Sequence, residues 1–96
     1  MLDNSQVTET VLEIARRNFG KEKVARAIVE PWSDWVGDDA FRVTLVIAPD
    51  ANLSGSSAAD TSVQTNQWLL RQGEERRVFI FYATEDELAD SGDPEP

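Results

Sequence analysis

The chain has 96 residues, with 18 acids against 9 bases for a net charge of −9, and it contains neither cysteine nor histidine. These counts exclude disulfides, thiol nucleophiles and thiolate metal sites, and they remove the commonest general base and transition-metal ligand. The acidic balance opposes nucleic-acid binding by phosphate neutralisation, and the length fits one small domain.

No apolar run approaches the roughly 20 residues that span a bilayer. Met1-Leu2-Asp3-Asn4 lacks the basic and then apolar regions of a secretory signal, so the expected location is cytoplasmic, with no membrane partner. The charge is uneven. Residues 85–96 hold six acids and no base, which leaves the first 84 residues at −3. A basic corner, Arg16, Arg17, Lys21, Lys23 and Arg26, interrupts the acidity. It lacks the interleaved aromatics of a nucleic-acid stacking platform.

The first helix is expected over Ser5 to Phe19. Val7, Val11, Ile14, Ala15 and Phe19 share one side of a 3.6-residue period. Asp3 and Gln6 form a capping-box pattern, with Asn4 and Ser5 as competing caps, and Gly20 ends the helix. Lys23 to Trp32 reads as a strand. Ala25, Ala27 and Val29 face the helices; Arg26, Ile28, Glu30 and Trp32 face outward. Pro31 marks it as an edge.

Ser33 to Ala40 reads as a hairpin connection with Gly37 and Asp38 in the turn. The next strand, about Phe41 to Ala48, has the clearest alternation of the chain. Its core row is Phe41, Val43, Leu45 and Ile47. Pro49 to Ala59 is rich in Ser, Ala, Gly and Asn and reads as a loop. Asp60 or Thr61 should cap a second helix running to about Gln72, with Thr61 and Gln64 as its capping box. The expected buried stripe is Val63, Gln67 and Leu70, with Asn66 and Leu69 beside it.

Arg77 to Ala83 reads as the last strand. Both of its rows are apolar, which fits a central strand or an interface. A capping-box pattern at Thr84 and Glu87 allows a short helical turn after it. The expected fold class is therefore α+β, an α-β-β-α-β two-layer sandwich. Two helices cover one face of a three-stranded sheet with the second strand in the middle. Residues 1–84 form the domain, and residues 85–96 are expected to be an acidic, disordered tail.

Such a sheet leaves one face open. That face should carry Ile28, Trp32, Val46 and one row of the last strand, here Phe79 and Phe81. Contiguous apolar surface of this kind marks an interaction site. The competing reading has the tail or the 49–59 loop folded across it. Trp32 and Trp35 flank an acidic turn with Asp34, Asp38 and Asp39, a plausible epitope for a basic partner. The alternative is that these tryptophans pack back on the sheet as structural residues.

The three aspartates do not match a calcium loop, and no metal or cofactor is expected. Gly55-Ser56-Ser57 lacks the spacing and lysine of a phosphate cradle. No nucleophile and base share a recognisable motif, so no enzyme is expected. The expected function is a small non-catalytic protein–protein interaction or accessory protein, homodimeric or bound to another chain. The contact residues are Ile28, Trp32, Trp35, Asp38, Asp39, Val46, Phe79 and Phe81. The alternative is an acidic inhibitor (an immunity protein, antitoxin or nucleic-acid mimic) that fills the basic groove of a target.

Overall fold

The computed structural model describes residues 2–53 and 55–91. The elements are α1 (Asn4–Phe19), β1 (Val24–Ser33), β2 (Asp39–Ile47), α2 (Ser57–Arg71), β3 (Arg77–Ala83) and α3 (Glu85–Ser91). The sheet order is β1-β2-β3; β1 and β2 are antiparallel, β2 and β3 parallel. The α+β class and the central position of β2 are as the sequence predicts. No helix among the described residues is long and apolar enough to cross a membrane.

Asp3 wins the competition to cap α1. Its carboxylate accepts from the Gln6 amide at 2.9 Å, and the Gln6 side chain accepts from the Asp3 amide at 3.0 Å. This box satisfies donors that the first helical turn leaves open. Val7, Val11 and Ala15 are wholly buried, and they share one cluster with Phe41, Val43, Leu45, Ile47 and Leu69.

The alternation of β1 breaks at its start. A bulge between Val24 and Arg26 makes Ala25 the extra residue. Val24 therefore takes the buried position, and Ala25, expected to face the helices, is exposed. One extra residue shifts the parity of everything before it. Arg16 holds the bulge: its Nε donates to the Val24 carbonyl at 3.0 Å and its Nη2 to the Ala25 carbonyl at 2.9 Å.

Helix α2 begins three to four residues before the expected cap. Ser56 is its N-cap and makes no side-chain cap bond, so the Thr61–Gln64 box does not form. The buried residues are Thr61, Thr65 and Leu69, whereas Val63 and Leu70 are 54% and 72% exposed. The expected stripe is thus on the wrong side. Thr61 can turn inward because its hydroxyl donates to the Ser57 carbonyl at 2.8 Å and accepts from Asn18 Nδ2 at 2.9 Å. Ser57 Oγ returns a bond to the Asn18 carbonyl at 3.1 Å. These polar contacts clasp the start of α2 to the end of α1.

The stretch from Glu85, expected as a disordered tail, is helical over Glu85–Ser91. The Thr84–Glu87 capping box is present, with bonds of 2.8 and 3.2 Å. The rest of the expected tail, 92–96, lies outside the described residues.

The two sheet edges differ. β1 carries its bulge, Pro31 and two exposed charges, Arg26 and Glu30. β3 is apolar but is clamped near its start by Asn66. The Val78 amide donates to Asn66 Oδ1 at 2.9 Å, and Asn66 Nδ2 lies 3.4 Å from the Val78 carbonyl.

Between α2 and β3 the chain turns through a partly buried ion pair. Arg76 and Glu74 meet at 2.8 Å, with Glu74 9% exposed. The Arg76 guanidinium sits 4.1 Å above the Phe41 ring and donates to the Leu2 carbonyl at 3.2 Å. Hydrogen bonds from Arg76 outweigh desolvation and pull the Glu74 carboxyl down to about 2.

Candidate functional site

The site grows from the outward row of the sheet. On β2 that row is Ala40, Arg42, Thr44 and Val46; on β1 it is Arg26, Ile28, Glu30 and Trp32. Phe79 pairs with Arg42 and Phe81 with Thr44, which places both on the same face. Trp32 is paired with Ala40. Because Ala40 is small, the indole leans across β2 and reaches β3. Its ring lies 5.2 Å from Phe79 and 5.9 Å from Phe81, both edge to face. Ala40 is left only 3% exposed.

The hairpin tip adds Trp35, 6.4 Å from Trp32 and 6.5 Å from Phe79. The tip is held by Asp34. One carboxylate oxygen accepts from the Val36 amide at 3.1 Å and from the Asp38 amide at 2.9 Å. Gly37 closes the turn at φ +87°, a conformation other residues rarely adopt. This geometry pushes Trp35 and Val36 outward, to 86% and 76% exposure. Phe81 is 40% exposed and carries the Arg42 guanidinium 4.8 Å from its ring centre.

Of the eight residues singled out from the sequence, four form one cluster: Trp32, Trp35, Phe79 and Phe81. Asp38 and Asp39 are exposed in the hairpin but do not join it: Asp39 falls in the row of Phe41, and both line a groove against Gly73, Glu74, Glu75 and Arg76; Ile28 is half-buried in the outward row. Val46 does not belong to the surface; it is completely buried. Its row neighbours are Arg26 and Ala83. Arg26 reaches across β2 to Glu85 with bonds of 3.0 and 3.3 Å, over the position of Val46. That pairing lowers the Glu85 pKa and raises that of Arg26. The start of the expected tail thus closes one end of the face, and the other end stays open.

Sequence reasoning missed two features. Val36 is the most exposed aliphatic residue at the tip, and its position inside a turn rich in acids was the available signal. The second is an open groove of about 320 Å³ between α2 and β3, walled by Val63, Leu70 and the start of β3. Part of its polar lining is engaged: Asn66 clamps Val78, and Glu74 pairs with Arg76. The basic corner is also largely committed. Arg16 holds the bulge, Lys23 pairs with Asp50 at 2.8 Å, and Arg26 pairs with Glu85.

Other displaced groups sit away from the aromatic cluster. Tyr82 packs edge to face on Phe19 at 5.6 Å, and burial pushes its phenol up to about 12. The cluster itself offers ring faces and apolar area, with the Arg42 guanidinium beside them. Comparison of the chain with family models, with curated proteins and with solved structures gives no match.

Proposed function

We propose that this chain is a non-catalytic interaction domain that holds another protein against the aromatic end of its open sheet face. The observation that carries the reading is Trp35, 86% exposed yet in contact with Trp32 and Phe79. An indole held in water by a fixed turn gains most by being covered. Tryptophan is among the residues that dominate binding energy at interfaces. The cluster is also stiff. Trp32, Phe79 and Phe81 pack on one another, so little of their freedom is lost on binding. The open face carries Arg42 and Arg77 beside the rings and Glu30 as its nearest acid in the row, with no row of carboxylates, which favours an accessory domain over a nucleic-acid mimic. A cytoplasmic setting completes the reading.

The test is retention of partner protein from host extract by the immobilised chain. A Trp35→Ala/Phe81→Ala variant should lose the retained protein. A Val63→Ala/Leu70→Ala variant, altered in the α2 groove, should keep it. The opposite pattern moves the contact surface to the groove and overturns the proposal.

A further inference from the structure

Two guanidiniums stand beside the rings with no acid of their own. In the outward row Arg42 is paired with Phe79, and Arg77 precedes Phe79 by two residues on β3, paired with Ala40. Both are exposed. Neither guanidinium makes an ion pair within 4 Å among the described residues. Lys23, Arg26 and Arg76, by contrast, each hold a carboxylate. Arg42 is also positioned. Its guanidinium lies over the Phe81 ring, 4.8 Å from the centre, and the ring leaves its N–H donors unspent. A planar group steadied in this way loses less freedom when it forks a carboxylate.

The sign of this surface follows from the charges that face outward. Arg26 and Glu85 cancel in their pair at the far end. Arg42 and Arg77 then stand against Glu30, two bases to one acid. Asp38 and Asp39 line the groove against Glu74 and Arg76, and Asp34 spends one oxygen on the turn. Charges more than about 8 Å away are largely screened at physiological ionic strength. A local positive surplus therefore survives on a chain of net charge −9. Two guanidiniums are too few to track a nucleic-acid backbone. The rings of Trp32, Phe79 and Phe81 meet edge to face, which is a poor platform for successive bases.

Resting on the interaction reading above, we infer that the ring end of the open face binds an acidic polypeptide segment, whose apolar side chains cover Trp35 and Phe81 and whose carboxylates are taken by Arg42 and Arg77. The rings supply the buried area, and the guanidiniums select the sign of the partner.

The probe is a short peptide of repeating glutamate, leucine and glycine, blocked at both ends. It is titrated into the full chain and followed by tryptophan fluorescence. Peptides with glutamine or lysine in place of glutamate are the controls. Saturable binding of the glutamate peptide is expected, with the glutamine peptide weaker and the lysine peptide weakest. Arg42→Gln/Arg77→Gln should weaken the glutamate peptide by about tenfold, and Trp35→Ala by several fold. Arg17→Gln/Arg71→Gln removes the same charge from the groove between α1 and α2 and should leave binding unchanged. Arg42→Glu/Arg77→Glu should reverse the order of the glutamate and lysine peptides. The substituted side chains are outside the core, so the variants keep the fold, which far-ultraviolet circular dichroism verifies.

Four results overturn the inference. In the first, the glutamine or lysine peptide binds as tightly as the glutamate peptide, or none binds. In the second, Arg17→Gln/Arg71→Gln weakens binding as much as Arg42→Gln/Arg77→Gln does. In the third, single-stranded oligothymidylate displaces the glutamate peptide at lower concentration than the peptide itself needs. In the fourth, the chain alone forms a dimer in sedimentation that Arg42→Gln/Arg77→Gln breaks. The interaction reading survives the first two if Trp35→Ala/Phe81→Ala still abolishes partner retention. Loss of that effect as well removes both.

Discussion

On the helix-covered face of β2, Phe41, Val43 and Leu45 are wholly buried, and α1 and α2 supply the cover. On the opposite face the same strand offers Ala40, Arg42, Thr44 and Val46, and only the two ends of that row are buried. There the cover is made one side chain at a time. Trp32 lies across Ala40, and the Arg26–Glu85 pair crosses Val46. The difference teaches where this small domain keeps its stability and where it keeps surface to spare. The covered face holds the aliphatic jigsaw. The open face holds rings that are ordered by one another and still reach water.

Breaking the covered face should have the largest effect. Phe41→Ala removes the hub of the core and the ring under Arg76, and should cost about 3–5 kcal/mol in urea unfolding. On the open face the two tryptophans should separate sharply. Trp32→Ala uncovers Ala40 and removes two edge-to-face pairs on β3, for about 1–3 kcal/mol. Trp35→Ala should stay within about 0.5 kcal/mol of the parent while partner retention is lost. Equal stability losses for the two would mean that Trp35 is structural, and the contrast between core and contact surface would fail.

An effect between those of the two tryptophans belongs to the pair that ties the α2–β3 turn to the core. The Glu74 carboxyl is lowered to about 2, so its contribution is complete above the unfolded value near 4.5. It is lost as pH falls towards 2. Glu74→Gln should cost about 1–2 kcal/mol near neutral pH, a figure that allows for solvent screening. The gap between parent and variant should close between about pH 4.5 and about pH 2 in acid-dependent unfolding. A gap that stays constant would show that packing, and not charge, is what the variant loses. The smallest effect is expected at the other end of the open face. Arg26→Gln should leave the unfolding midpoint unresolved from the parent, because both partners of this pair are solvated.

The inner row of β2 is legible in the sequence because Phe41, Val43, Leu45 and Ile47 fall on every second residue, and strand order because Pro31 and the charged row mark β1 as an edge. The aromatic cluster is legible in part. Period two places Trp32 on the outer face, but its reach to β3 depends on the size of Ala40 between them. Hydropathy misleads at α2. Thr61 is less apolar than Val63, yet its hydroxyl bonds the preceding turn and Asn18, so it can be buried at little cost. The burial of Val46 depends on a contact between residues 26 and 85, a separation that no local pattern reports. The bulge at Ala25 leaves no mark in the alternation of its own strand. It is fixed by Arg16, one element earlier.

The clamp of Asn66 on Val78 has a consequence for the protein's life at high concentration. Residues 78–83, Val-Phe-Ile-Phe-Tyr-Ala, have no charge and no proline. Such a segment on a sheet edge is a template for fibril growth. In a parallel strand alternate residues turn their backbone groups to the same side, so Val78, Ile80 and Tyr82 share the free edge. One carboxamide stands where an incoming chain would seek its first amide and carbonyl, and the strand behind it is shortened as a docking track. Asn66 thus acts as a gatekeeper. Under agitation, Asn66→Ala should shorten the lag before thioflavin-positive aggregates far more than it lowers the melting temperature.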